Sequence, residues 1–263
     1  MVRRELPWAG LDSEQRWARR AFHQRVGVAG PALLLGALIL WLAVPRLLAS
    51  SLLALRDPVI EQMVAGERVS AAELVGVMAS RELALSWVED RETHNERGTA
   101  LAELAFREEP QSAARSAMLE RAVHATRAGL AVAPGDPKDW MQLGYLLVLL
   151  EGDTNRAAAE ALLMSMRTGA FAAPEFLNRR LFWSLAHWPF YDEEERGQVG
   201  DQVRLAWRVA PGALADLALD VPEFFAPIAS SLAHVPGAQE QFVAALAFAT
   251  PRSAGATPPA PGR

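Results

Sequence analysis

The sequence predicts an all-α protein with a single N-terminal transmembrane helix followed by an array of antiparallel helical hairpins. Three observations predict it. Val26 to Pro45 (VGVAGPALLLGALILWLAVP) is a run of 20 residues without a charge, and at about 1.5 Å per residue it matches a hydrocarbon core about 30 Å thick. Apolar residues make up 51% of the chain and are mostly Leu and Ala, which enter helices at little cost, whereas the β-branched residues that strands prefer are sparse. Beyond Asp57-Pro58, capping signals and prolines recur at short intervals with almost no strand-like alternation.

The apolar run is too long for the core of a signal peptide and lacks a small-x-small cleavage site, so it reads as an anchor that stays in the mature protein. Pro31 and Pro45 lie near its ends, where freed backbone groups reach headgroups or water. Arg46 can snorkel to the interface, and Leu47 to Leu55 continue the helix out of the bilayer. Before the run stand Arg3, Arg4, Arg16, Arg19, Arg20 and Arg25; the 20 residues after it carry only Arg46 and Arg56. This asymmetry keeps the N-terminus in the cytoplasm. Through Arg56 there are 8 basic and 3 acidic residues, leaving 18 basic and 28 acidic for the rest. The distal part is therefore acidic and is expected outside. A single lysine, Lys138, among the basic residues suits a bacterial, GC-rich origin, which makes the compartment the periplasm and the membrane the inner one. Asp12 to Arg25 reads as a short helix capped by Asp12 or Ser13, resting on the inner leaflet, or as a basic arm that only sets topology.

Residues 57–249 are expected to form the periplasmic helical domain, after a basic segment over 1–25 and an anchor with its extension over 26–56. Ser70 and Glu73 form a capping-box pattern for a helix through Asp90, with Leu74, Met78, Leu85 and Val88 on one stripe. After a looser stretch over Arg91 to Arg97, a helix spans Gln111 to Val132. Asp136-Pro137 supplies an N-cap and first-turn proline for a helix ending at Gly152. Thr154 is the expected cap of the next, which runs to Gly169. Pro174 begins another, and Asp192 with Glu195 opens a helix through Val209. Short links of this kind make neighbouring helices antiparallel. Val221 to Ala249 gives one or two more helices broken by Pro227 and Pro236, and Thr250 to Arg263 is a Pro/Gly/Ala-rich tail expected to be disordered.

Helices end near Pro134, Pro174 and Pro211, a spacing in the range of helical repeats. In one unit Trp140, Leu143 and Gly144 stand as W-x-x-L-G, followed by Gly152 at the turn and Ala157 and Ala161 on the second helix. This resembles a tetratricopeptide repeat, which implies close helix packing at the small residues and a peptide- or protein-binding array. The resemblance covers Ser112 to Pro211 and is best in the middle unit; Phe176 to Phe190 departs from it, being aromatic and lacking the close-packing glycine. The strings ALLMSMRTGAF and DQVRLAWR also resemble membrane-anchored repeat proteins of bacterial surface-polysaccharide assembly.

The chain has no cysteine, which excludes disulfides, thiolate metal sites and cysteine nucleophiles. A net charge of −5 argues against nucleic acid as a partner. Serine-nucleophile, phosphate-loop, dinucleotide and zinc-protease motifs are absent. No two of His23, His94, His124, His187 and His234 stand at metal-ligand spacing. His94, between Glu92 and Glu96, and His124, within a helix, read as ordinary polar residues. His187, near Trp188, Tyr191 and Asp192, is the one place where a general acid or base could stand beside a carboxylate. Glu193 to Glu195 serve a helix N-terminus, where carboxylates favour the dipole. Phe182, Trp183, Trp188, Phe190 and Tyr191 form the densest aromatic group outside the anchor. Such rings either fill a hairpin interface or anchor a partner; Trp183, Trp188 and Tyr191 are the candidate partner-binding residues, with Trp188, beside Pro189, the one most expected at the surface.

No catalytic constellation, cofactor site or metal site is expected. The sequence reads as a membrane-tethered adaptor that binds another envelope protein or peptide, in surface-polysaccharide synthesis or export or as a cytochrome-maturation-type peptide-binding subunit. The contrasting reading is an envelope enzyme using His187 and nearby acids.

Overall fold

The computed structural model describes residues 13–152, 155–170 and 173–248. The tail over 250–263, Asp12 and Thr154 lie outside the described residues. Among the described residues there are twelve α-helices and no strand.

The first helix, α1 (Ser13–Ala54), runs without a break from Ser13 through the apolar run and its extension, with Pro31 and Pro45 inside it. Its Leu33 to Val44 side chains are exposed, with Trp41 78% accessible. No other element covers this stretch. Ala29–Ala54 is long and apolar enough to cross a membrane. Contact with the rest of the protein begins at Ala49, which is buried.

A short helix, α2 (Asp57–Val64), then opens on Pro58, and α3 (Ala71–Leu85) on the Ser70 capping box, in which Ser70 and Glu73 each accept from the other's backbone N–H. The α3 helix stops at Leu85 rather than Asp90, because Asp90 caps a new helix, α4 (Arg91–Ala105), through Thr93. The stretch expected to be loose is thus helical. Its first two turns lack an apolar stripe because their buried side uses small and polar residues, Thr93, His94 and Gly98; large apolar residues, Leu101 and Leu104, enter the core only in its second half.

Hairpins follow. The α5 helix (Ala113–Val132) is capped by Ser112, and Gln111, placed inside it by sequence, sits before it at a positive φ of 66°. Asp136 caps α6 (Pro137–Glu151), which ends at Gly152 with φ 86°, a conformation that favours glycine. Asn155, not Thr154, caps α7 (Arg156–Thr168): its side-chain oxygen accepts from the Ala157 N–H. Next come α8 (Pro174–Ala186), a 3-10 turn over Trp188–Phe190, and α9 (Glu193–Val209), opened by the Asp192–Glu195 capping box. The chain closes with α10 (Pro211–Asp220), α11 (Phe225–Leu232) and α12 (Ala238–Phe248). Pro227 does not break a helix; it sits in the first turn of α11, where a missing N–H costs nothing.

The hairpins are α4–α5, α6–α7 and α8–α9, and two glycines set the first two. Gly98 and Gly144 each stand eight residues after their helix's N-cap, Asp90 and Asp136. A Cβ on Gly144 would meet Leu162 at 2.9 Å and the Ala158 carbonyl at 3.2 Å; one on Gly98 would meet Thr126 at 3.0 Å and the Ala122 carbonyl at 3.4 Å. At the other end of α6–α7, the Ser165 hydroxyl donates to the Pro137 carbonyl at 2.6 Å, so the second helix runs antiparallel to the first. Leu143 and Ala161 are buried in this unit as the repeat pattern expects. Ala157 is exposed at the start of α7, and the close approach falls on Ala158 instead.

Core residues form a chain of three apolar clusters: one from α2, α3 and α4, one from α4 through α7, and one from α7 to α12. A core distributed along the chain in this way is what an array of stacked hairpins produces.

Candidate functional site

The first helices of successive hairpins, α4, α6 and α8, bring one face each to a common concavity, and α2 closes one end. The cavity is about 660 Å³. Its α4 wall is a stripe at helical spacing: Arg91, Glu92, Asn95, Glu96, Thr99 and Glu103. The α6 wall presents Lys138, Met141 and Gln142, and α8 adds Phe176 and Arg179. Ile60 and Met63 of α2 complete an apolar floor.

The walls carry opposite charge. Glu92, Glu96 and Glu103 lie on α4, whereas Lys138 and Arg179 lie on α6 and α8. Arg91 ties the walls at one end, with its guanidinium 3.3 Å from both Asp136 and Asp139. Asp139 is fully buried, and burial, reinforced by Asp136, raises its carboxyl to about 6 against the pull of Arg91. Gln142 donates to the Thr99 hydroxyl at 3.0 Å and spans the groove floor. Glu96 lines the cavity and is also paired with Arg81 at 2.7 Å. That arginine is fully buried and also holds Asp57 at 2.9 Å and the Leu53 carbonyl of α1 at 3.1 Å. One side of the groove is thereby fastened to the end of α1. The side-chain oxygen of Asn95 is buried without a hydrogen-bond partner, an acceptor left open beside the cavity.

The aromatic candidates lie elsewhere. Trp183 is half-buried against the middle cluster, its ring 5.2 Å from that of Tyr145. Trp188 is half-buried against the C-terminal cluster and has Arg196 over its ring at 5.9 Å. Tyr191 is 2% exposed within that same cluster, and burial raises its phenol. Its hydroxyl has Ser184 beside it but no well-formed hydrogen bond. Trp140, the first residue of the W-x-x-L-G pattern, donates its indole N–H to the Pro134 carbonyl at 2.7 Å and so fixes the link between hairpins.

His187 is completely buried, with Nδ1 2.8 Å from the Trp183 carbonyl and Nε2 unpaired. That contact assigns the proton to Nδ1, and no carboxylate bonds to the ring. His94 Nε2 lies 2.7 Å from Glu89, and His124 is on the exposed side of α5. Among the described residues no three His, Asp or Glu side chains gather at a spacing that could hold a metal ion.

Sequence reading missed the groove because its residues are polar, unremarkable singly and scattered over 120 positions of chain, from Ile60 to Arg179. The recurring interval from capping Asp to Gly, in Asp90–Gly98 and Asp136–Gly144, is the signal that could have paired α4 with α6 as equivalent walls. No family model, curated protein or solved structure matches this chain.

Proposed function

We propose that this protein is a single-span, membrane-tethered interaction module of a bacterial cell-envelope complex, with its N-terminus cytoplasmic and its helical array periplasmic. The array grips an extended peptide segment of another envelope protein in the groove between α4, α6 and α8. The carrying observation is that groove: a 660 Å³ concavity with an acidic wall facing a basic one over an apolar floor, joined by Arg81 to the end of α1. Among the described residues Lys138 and Arg179 make no ion pair, unlike Arg91, and can meet carboxylates of the partner. Glu92 and Glu103 can likewise meet its basic side chains. Met141, Phe176, Ile60 and Met63 would seat an apolar side chain between them. Tethering adds to this, because a partner held in the same membrane meets the groove at high effective concentration. The tetratricopeptide-like middle hairpin supports the same reading, and the resemblance of two short strings to polysaccharide-assembly proteins suggests surface-polysaccharide synthesis or export as the setting.

Photo-crosslinking in intact membranes tests the proposal. A photoreactive residue replacing Met141, in the groove, should give a discrete adduct with another envelope protein. The same residue replacing Val243, exposed on α12, should not. Charge reversal of both Lys138 and Arg179 should abolish the Met141 adduct while leaving the protein folded. Adducts of equal yield at the two positions, or an adduct indifferent to the reversal, would remove the groove from the mechanism.

A further inference from the structure

The junction between α1 and α3 fixes how the domain meets the membrane. Two contacts set their register. A Cβ on Gly76 would meet the Arg56 guanidinium carbon at 2.9 Å, and farther along α3 the Arg81 guanidinium reaches back to the Leu53 carbonyl at 3.1 Å. Moving toward the C-terminus of α3 therefore moves toward the N-terminus of α1, so the two helices are antiparallel. Continuing that register pairs Ala49 with Ala84, both buried at 7% and 1% exposure, as a close helix contact requires. With equal rise per residue on both helices, the end of α3 at Leu85 then comes level with Leu48, and Trp87, just past it, with Arg46.

That level is the bilayer boundary on the sequence reading. Arg46 is the first charge after the apolar run, and its guanidinium stays within one turn of that point, donating to the Leu42 carbonyl at 2.9 Å. At the same level α3 presents an uncovered apolar stripe: Leu83 is 51% exposed and Trp87 48%. Trp87 prolongs the helix by a turn, its N–H donating to the Ala84 carbonyl at 3.0 Å. Leu47, 67% exposed on α1, lies at this depth as well. Tryptophan at such a boundary is the side chain that membrane interfaces favour, since its ring is apolar and its N–H stays wet.

We infer that the C-terminal end of α3, through Leu83 and Trp87, is inserted in the interfacial layer of the bilayer that α1 crosses, with phospholipid as its occupant. The protein thus touches the membrane at two points, the span and this second foot, which holds the domain at a fixed orientation. Exposed Glu82, Glu89 and Asp90 border the foot; they confine it to the headgroup region and make its insertion independent of anionic lipid. The inference rests on the membrane reading of α1.

The absence of native cysteine makes the test direct. Full-length protein in phospholipid nanodiscs carries one cysteine, labelled with an environment-sensitive fluorophore, at Val75, Leu83, Trp87 or Leu38. Val75 is exposed on the same side of α3, at its other end, and Leu38 is exposed in the middle of the span. Lipids with a nitroxide high on the acyl chain should quench the label at Trp87→Cys strongly and at Leu83→Cys less, and leave Val75→Cys unquenched. Iodide in the water should show the opposite order. The Trp87→Cys pattern should be the same in zwitterionic and in anionic discs. Lipid quenching absent at all three α3 positions but present at Leu38→Cys would overturn the inference alone; its absence at Leu38→Cys as well would overturn the anchor. Shielding of Trp87→Cys from iodide without lipid quenching would mark a protein contact and equally overturn it.

Discussion

Arg81 and Arg180 are both fully buried, and comparing them shows how the same residue type is stabilised in two ways. Arg81 has two carboxylates, Asp57 and Glu96, and a carbonyl. Arg180 has none of the former. It donates to the Ser165, Gly169 and Ala170 carbonyls and to Gln202, standing where the carbonyls at the end of α7 leave partial negative charge. Without a full counter-charge, burial lowers its pKa to about 10. Asp139 is the acidic counterpart, and its position makes a pH prediction. Its carboxyl is raised to about 6 from an ordinary 3.8, so between those values the folded protein takes up a proton that the unfolded chain does not. Asp139 therefore favours folding increasingly as pH falls from about 7 toward 4, the reverse of Glu195, whose carboxyl is lowered by Arg156 and whose contribution is lost on acidification. Denaturant unfolding of wild type and Asp139→Asn at both ends of that window should show the difference moving toward wild type by on the order of 1–3 kcal/mol. A difference that does not change with pH would mean the carboxyl is not perturbed.

At the scale of elements, what was legible followed from how local the signal is. The capping boxes at Ser70–Glu73 and Asp192–Glu195, the Asp136-Pro137 start and the Gly152 stop are each written in nearby residues, and helices start or stop where they predict, although the one opened at Ser70 ends at Leu85, short of Asp90. The α4 helix was illegible because the usual cue is an apolar stripe. Its outer side is the charged groove wall, and the inner side of its first half fits closely through Thr93, His94 and Gly98, with Leu101 and Leu104 entering the core only farther along. The same displacement explains Ala157: the pattern located a small residue on α7 correctly in kind but one position from Ala158, where the contact falls. None of the groove could be read from sequence, since it exists only once α2, α4, α6 and α8 are side by side. The equivalence of Gly98 and Gly144 makes a paired prediction. Leucine at either should overpack a hairpin, and because the contacts at 144 include backbone carbonyl and a branched side chain, Gly144→Leu should cost roughly 1–3 kcal/mol. Gly98→Leu should cost no more than that, as its nearest contacts, the Thr126 hydroxyl at 3.0 Å and the Ala122 carbonyl at 3.4 Å, are less tight. Thermal melts of the full-length variants check both, and an unchanged midpoint for Gly144→Leu would show that these helices are not in close contact.

For the whole molecule, the question is where the anchor ends and the domain begins. The apolar run and the first charge after it place that border at Pro45, yet α1 continues without a break to Ala54, and its last turns are packed as part of the array. Ala49 is buried, the Leu53 carbonyl is held by Arg81, and Arg56 lies over Gly76. An anchor that only tethers could be exchanged at either point. This one should tolerate exchange only at the first. Replacing residues 1–45 with an unrelated helix of the same orientation retains every α1–α3 contact, and the melting midpoint should match wild type. Replacing residues 1–56 removes the small residue at 49, which the close approach needs, and the arginine at 56. Loss of about 1–2 kcal/mol there should lower the midpoint by roughly 2–6 °C. Partner crosslinking at Met141 should fall with it, because Arg81 and Glu96 transmit the junction's geometry to the groove wall. Equal midpoints for the two exchanged proteins would reduce α1 to a tether and separate the groove from the membrane that holds it.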